Sequence, residues 1–394
     1  MLGDEELEDE FVYPVNRHIR PLFKTECNTV QLYNGNCLDV LSKMSGESVH
    51  TIVTSPPYWG LRDYGTNSSH ELGNERTSEE YVTRITKIFR EAKRVLRHDG
   101  TLWLNIGDSY DNGNLAGVPW RVALALQKDG WILRQDIIWI KRDPVPESVE
   151  NRCTKAHEYI FLLSKNTDYY YDHYAVKEES VYPAGFMPSG SMVNATKRTN
   201  SRDSKTSSEN HGGSVETLRV DGTRNKRSWW DVTSGGYLCP HFAVYPPKLI
   251  EPCILASTSA YGCCAKCGCQ YKRITQKEGS VVKNADNLKR DRTVGNRNGL
   301  GQSTLDGKIG NAVTTGWEKD CYCSTDKVSP CIVLDPFMGS GTTAEVSIKH
   351  NRRVWGIELN AEYIKLQIER IERCKNRNSS VIDFLNNQLL KCRS

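Results

Sequence analysis

The run Val49–Thr54 (VHTIVT), followed at once by Ser55-Pro56-Pro57-Tyr58-Trp59-Gly60, constrains this chain more than any other stretch. A short apolar, β-branched run bounded by proline reads as a buried strand. The strand must stop at Ser55, because two consecutive prolines lack N–H donors and hold the preceding residue extended. A hydroxyl, two rigid residues and two aromatics therefore leave the sheet together at a strand's carboxyl end. In an open α/β sheet that is where ligands bind.

A second strand end carries its own signal. Cys331–Leu334 reads as a strand, and Asp335-Pro336-Phe337-Met338-Gly339-Ser340-Gly341-Thr342-Thr343 turns from it into a helix. Gly339 and Gly341 allow a ligand close to the backbone. The next strand, Arg353–Ile357, ends in Glu358. An acidic residue in that place holds ribose hydroxyls in nucleoside-binding folds. No Walker lysine accompanies the turn, which argues against phosphoryl transfer. A G-x-G-x-x-G is also missing, which argues against a nicotinamide cofactor.

The remaining pattern alternates strands with helices. Thr29–Tyr33, Leu102–Ile106, Gln135–Ile140 and Tyr159–Ser164 read as strands; a turn at Gly35-Asn36 opens a short helix. Thr77-Ser78-Glu79-Glu80 is a capping box, and Tyr81, Ile85, Ile88, Ala92 and Val95 follow at helical spacing. Arg97-His98-Asp99-Gly100 reads as that helix's C-terminal stop. Pro119–Lys128 and Ala361–Cys374 are further helices. Such alternation predicts a twisted α/β sheet.

Composition bounds the setting. The N-terminus MLGDEELEDE is acidic, unlike a signal peptide, and no apolar run is long enough to span a bilayer. The expectation is an intracellular protein with no membrane partner. The 14 cysteines then read as thiols or metal ligands rather than a disulfide framework. A net charge of +4 hides a basic middle: Val181 to Pro330 carries 21 Lys/Arg against 13 Asp/Glu, which suits a polyanionic partner. Residues 183–228 and 276–316 are too polar to order themselves, whereas Trp229-Trp230-Asp231 and a helix over 249–259 read as ordered.

Taken together, Ser55-Pro56-Pro57-Tyr58 and Asp335-Pro336-Phe337-Met338-Gly339-Ser340-Gly341 resemble the amino-methyltransferases of DNA. The catalytic motif precedes the cofactor motif, similar to the β-group order, and SPPY most resembles the cytosine-N4 enzymes. The resemblance extends through Gly100 to Tyr110, Asp136 to Lys165, Trp229 to Asp231 and His241 to Ala256. It implies a Rossmann-like S-adenosylmethionine-dependent methyltransferase sheet with permuted motif order and an inserted target-recognition region. The division it implies is an acidic leader, 1–28; a catalytic half, 29–171; a recognition region, 172–330, with a segment at about 229–259 returning to the core; and a cofactor half, 331–394. It assigns Asp335, Phe337, Gly339, Gly341 and Thr342 to the cofactor surround, Glu358 to the ribose, and Asn36 to the adenine, where relatives often place Asp. DNA with its target base flipped out is the expected partner. A restriction partner and a dimer are compatible with the resemblance.

The chemistry also stands on the residues. An aromatic exocyclic amine is a poor nucleophile, because its lone pair is delocalised into the ring. Ser55 Oγ and the carbonyl of Pro56 are natural acceptors for its N–H groups, Pro56 and Pro57 keep the turn rigid, and Tyr58 offers a face for the extruded base. Direct attack on a sulfonium methyl then needs no covalent enzyme intermediate. Adenine-N6 methylation is the competing reading, and an inactive DNA-binding relative is a further one. His157-Glu158 reads as a positioning pair rather than an acid–base pair. Separately, Cys264-x-x-Cys267 and Cys321-x-Cys323 suit structural zinc, with Cys263 and Cys269 as substitutes; unpaired thiols are the alternative.

Overall fold

The strand ends that carry the motifs sit side by side in one sheet, and the alternation of their side chains explains why. The computed structural model describes residues 19–25, 29–61, 71–144, 146–179, 223–234, 245–277 and 312–374. The acidic leader expected at 1–28 lies largely outside the described residues. So does most of the polar chain expected over 183–228 and 276–316.

Nine strands form the central sheet: β1 (Phe23–Lys24), β2 (Val30–Asn34), β3 (Val49–Thr54), β4 (Leu96–Ile106), β5 (Ile132–Ile140), β6 (His157–Ser164), β7 (Trp229–Asp231), β8 (Ile332–Asp335) and β9 (Arg353–Glu358). Their order is β1-β2-β9-β8-β3-β4-β6-β5-β7. The central run from β2 to β4 is parallel, and β6 is antiparallel to both β4 and β5. The cofactor-half strands β8 and β9 therefore insert between β2 and β3, next to the strand that precedes SPPY. This is how a permuted motif order still makes one sheet.

Both faces of the sheet are covered, which is why its strands are near-continuous apolar runs. All six residues of β3 are buried. Ile52, Leu102, Leu104, Ile332, Leu334, Trp355 and Ile357 point into one core, with α1 (Cys37–Lys43), α2 (Ser78–Val95) and α3 (Val118–Lys128). Val53, Trp103 and Val333 point the other way, against α4 (Pro247–Ser257) and Val346 of α5 (Thr342–Lys349). Val354, Ile364 and Ile371 join a third cluster under residues 361–374 (α6).

One local expectation holds and another changes. Thr77 Oγ1 does cap α2, accepting from Glu80 N at 3.2 Å. Gly100, however, is no helix stop. The chain passes from Val95 directly into β4, and Gly100 lies within that strand. A Cβ there would meet Leu96 Cδ1 at 2.5 Å and the His50 carbonyl at 2.9 Å, so the glycine serves close strand packing. The tryptophan pair divides. Trp230 is buried, 6.3 Å from Trp103 between ring centroids, whereas Trp229 is exposed beneath the Arg227 guanidinium.

The chain divides into two compact units. One comprises Met1–Val176, Arg227–Lys272 and Glu318–Ser394 and contains the sheet; the other comprises Lys177–Lys226 and Arg273–Trp317. In the second unit Glu178–Glu179 pairs with Thr223–Arg224, and Arg273 stacks its guanidinium 4.5 Å from the Trp317 ring centroid. The 229–259 stretch belongs to the sheet unit, through β7 pairing parallel to β5 and α4 packing on the sheet.

Candidate active site

A cleft opens at the carboxyl ends of β2, β3, β8 and β9. Gly35, Asn36, Ser55, Pro57, Phe337, Gly339, Thr342 and Glu358 line it, together with Glu71, Tyr245, Asn360 and Tyr363, which carry no sequence motif of their own. The two motifs, far apart in sequence, thus share one cavity.

Ser55 stands at one side with its hydroxyl proton committed. Its Oγ donates to Tyr58 OH at 3.1 Å. Tyr58 OH lies 2.7 Å from Glu158 Oε2 and 3.1 Å from Asn105 Oδ1, and its single proton goes to the shorter contact. Asn105 Nδ2 donates to the same Glu158 oxygen at 3.2 Å, and Lys141 Nζ pairs with the other. Burial and the neighbouring Glu158 charge hold the Tyr58 phenol well above its ordinary pKa, so it stays neutral and donating. Ser55 Oγ is left to accept. Gly107 allows this packing, since a Cβ there would come within 2.7 Å of Tyr58 Cε2. Tyr81 OH donates to the Pro57 carbonyl at 2.8 Å, so the fold takes up the second proline's carbonyl, not that of Pro56. Of the His157-Glu158 pair, Glu158 finds its specific partner in Tyr58.

The glycine turn is fixed from beneath by Asp335. This carboxyl is buried and does not line the cleft. Its Oδ1 accepts from Thr54 Oγ1 at 2.6 Å and Phe337 N at 3.1 Å; its Oδ2 accepts from Thr343 Oγ1 at 2.5 Å and Tyr245 OH at 3.0 Å. Burial raises its pKa, against these four donors. With its acceptor positions filled, Asp335 ties the catalytic strand end to the turn rather than facing a ligand.

Glu358 does line the cleft. Its Oε2 accepts from Gly339 N at 2.8 Å and its Oε1 from Asn360 N at 2.9 Å, and the Leu359 N–H is also directed at this carboxylate, which leaves room for one further donor. Burial raises this carboxyl to about 7. Gly339 and Gly341 have φ of +51° and +83°, the left-handed region that favours glycine. Gly341 sits behind the turn, where a Cβ would meet Gln367 Cγ at 3.3 Å, and is not part of the lining. Asn36 lines the cleft, with its side-chain oxygen engaged by the backbone. Its Oδ1 accepts from Leu38 N at 2.9 Å and Asp39 N at 3.3 Å, capping α1, so that oxygen is already used. Thr342 lines the cleft, and its Oγ1 is buried with no hydrogen-bond partner among the described residues. A buried hydroxyl without a partner is costly unless a ligand or water satisfies it.

Among the described residues, two cysteine clusters lie elsewhere in the sheet unit. The Sγ atoms of Cys264, Cys267, Cys321 and Cys323 all lie within 4.8 Å of one another. Cys263 and Cys269, the substitute ligands by sequence, instead direct their thiols to the carbonyls of Ser329 and Asp320. Cys263 does lie near His50 and Cys331. Both His50 nitrogens are occupied, however: Nδ1 accepts from Ile332 N and Nε2 donates to the Gly268 carbonyl, each at 2.9 Å. Burial pushes His50 down to about 3, so it is a neutral structural ring.

Known proteins share this architecture. A family model described as DNA methylase, covering the N6 and N4 enzymes, matches residues 49–264 and 324–370. Type II methyltransferase M.Cfr9I of Citrobacter freundii is 33% identical over 376 residues, covering 88% of this chain and 89% of that protein. Type II methyltransferase M.XycI of Xanthomonas campestris pv. cyanopsidis is 33% identical over 380 residues, 89% of each chain. Among solved structures, the PvuII DNA methyltransferase (cytosine-N4-specific) shares the fold, with a TM-score of 0.52 and 15% identity across 91% of this chain and 93% of that one. With both motifs meeting in one cleft and full-length relatives of this similarity, the chain belongs to the N6/N4 DNA methylase family.

Proposed function

We infer that this protein transfers a methyl group from S-adenosylmethionine to the exocyclic N4 amine of cytosine in DNA. One observation carries the reading: Ser55 lines the cleft with its proton donated to Tyr58, so that Oγ is held as an acceptor. The solved enzyme that shares the fold is named as cytosine-N4-specific, which is in keeping with it.

The residues present fit the cofactor. Thr342 supplies a buried hydroxyl with no partner among the described residues, Glu358 supplies a remaining acceptor position for a ribose hydroxyl, and Phe337 supplies an apolar wall. S-adenosylmethionine provides a methyl group on a positively charged sulfur. The protein's part is to receive the target base outside the helix and activate its amine. Ser55 Oγ and the Pro56 carbonyl accept the two N–H bonds, which draws nitrogen electron density out of the ring. Glu158, through Tyr58, fixes the direction of the Ser55 hydroxyl. Methyl transfer would form the nitrogen–carbon bond as the carbon–sulfur bond breaks, with the thioether leaving and the surplus amine proton passing to water. Residues 172–330 outside the sheet unit serve as the recognition region, on the strength of their basic excess and their insertion between the two half-sites.

The test is to incubate protein, labelled cofactor and unmethylated DNA, digest to nucleosides and identify the product by mass spectrometry. N4-methylcytosine is expected, and N6-methyladenine alone overturns the base assignment. Ser55→Ala is expected to reduce turnover at least about 100-fold, a loss of the size seen when an activating hydrogen bond is removed, while leaving cofactor affinity within about twofold. Equal loss of both contradicts the role given to Ser55.

A further inference from the structure

The four clustered cysteines are bound up with the local backbone in a way that unpaired thiols do not require. Cys264-Ala265-Lys266-Cys267-Gly268 forms a tight loop in which Gly268 takes φ +72° and its N–H bonds the Cys264 carbonyl at 2.8 Å. That loop turns the N–H groups of Lys266 and Cys267 onto the Cys264 sulfur, and the N–H of Cys269 onto the Cys267 sulfur. On the other arm the N–H of Cys323 is directed at the Cys321 sulfur.

The rest of the molecule holds both arms in place. Strand Cys263–Cys264 pairs antiparallel with Val328–Ser329, and Ala265 N bonds the Lys327 carbonyl at 3.0 Å. Arg97 Nη1 donates to the Cys267 carbonyl at 2.8 Å, and His50 to that of Gly268. Lys319 Nζ reaches the Cys323 and Thr325 carbonyls at 2.5 Å each. A tetrahedral site with metal–sulfur bonds of about 2.3 Å has sulfur–sulfur edges of about 3.8 Å, within the spacing found here. Disulfides would instead draw the sulfurs into two pairs about 2.05 Å apart. The four thiolates leave no open coordination position, so the site is closed and structural rather than catalytic.

We propose that Cys264, Cys267, Cys321 and Cys323 bind one zinc ion, which ties together the two points where the chain leaves and re-enters the sheet unit around residues 273–317. Binding displaces the thiol protons and leaves a tetrathiolate of net charge −2, beside the Lys319 ammonium. In chain order, the metal holds the two arms that flank the inserted stretch. It takes no part in methyl transfer.

The experiment is elemental analysis of the full-length protein purified from zinc-replete cells without chelator. About one zinc per chain is expected, as for a closed four-thiolate site. Replacement by cobalt should give the visible bands of a tetrahedral cobalt tetrathiolate and near-ultraviolet charge transfer from sulfur. Cys264→Ser and Cys323→Ser should each lower zinc content to about a tenth or less, while Cys153→Ser, at an exposed cysteine outside the cluster, should leave it unchanged. Should the serine variants fail to fold, the wild-type stoichiometry and cobalt spectrum decide alone. Metal-free protein with four titratable thiols, two disulfides by mass spectrometry, or stoichiometric iron would each overturn the assignment. Because the readout is metal content, an inactive or N6-specific enzyme that still binds zinc leaves this inference standing.

Discussion

Ser55 and Glu358 show how the surroundings set the chemistry of a single side chain. A free serine hydroxyl both donates and accepts; Ser55 has its proton placed on Tyr58, which in turn donates to Glu158. Glu158 is thus a positioning residue that lies outside the SPPY motif. Glu358 carries a pH consequence. Its folded pKa of about 7 stands above the ordinary 4.5, because burial disfavours the charge. As pH rises from 4.5 towards 7 the unfolded chain releases this proton first, so the group's contribution to folding stability falls over that window. On the proposed ribose contact, ligand binding runs the opposite way, since the ionised carboxylate would be the acceptor for a ribose hydroxyl. Cofactor affinity measured by calorimetry should weaken by up to roughly tenfold from pH 8 to pH 6, and Glu358→Gln should flatten that dependence. A wild-type affinity indifferent to pH would remove Glu358 from the ribose contact.

At the scale of elements, the contact between β3 and β8 joins the half-sites. The two strands are parallel neighbours, and Thr54 at the end of one donates to Asp335 at the end of the other at 2.6 Å. Tyr245, just before α4, adds a third segment to the same carboxylate. Thr54→Val keeps the side-chain shape and strand propensity but removes a donor from a buried carboxylate. It is expected to cost about 1–3 kcal/mol in urea unfolding and to weaken cofactor binding, through the turn that Asp335 holds. An unchanged midpoint would mean that Asp335 does not depend on this bond. Element identity was legible from the sequence, because burial on both faces leaves long apolar runs bounded by proline and glycine. The end of α2 was not, since Gly100 resembles a helix stop in sequence but is required by the Leu96 and His50 contacts of a strand.

For the whole molecule, the chain divides into a sheet unit and a second unit, and the recognition role proposed for the latter can be tested on its basic residues. The second unit includes Arg273–Trp317, where Lys289, Arg290 and Arg292 cluster in sequence. Replacing these three by glutamine is expected to weaken DNA binding across sequences. It should make the dependence of log affinity on log salt shallower by about 0.9 for each phosphate that is no longer neutralised, with cofactor affinity unchanged. Titration of the variant against DNA at several salt concentrations checks this; an unaltered slope would place the DNA-binding cations elsewhere. No helix among the described residues is long and apolar enough to cross a membrane.

The sequence alone determined the strand ends, the glycine turn and the cysteine spacing. Each is a local consequence of backbone geometry: prolines that cannot donate, glycines that accept positive φ, side chains alternating along a strand. It also pointed to the family, because two such motifs in that order are specific. Only the tertiary structure decided what each polar atom is bonded to. Tyr58 meets Glu158 across 100 residues, and Thr54 meets Asp335 across 281. Those pairings turned Asp335 from an expected ligand contact into a brace, committed the Asn36 oxygen to a helix cap, and placed Glu158 behind Ser55. Hydrogen-bond partners distant in sequence leave no periodicity to read, so these assignments had to wait for the fold that brings them together.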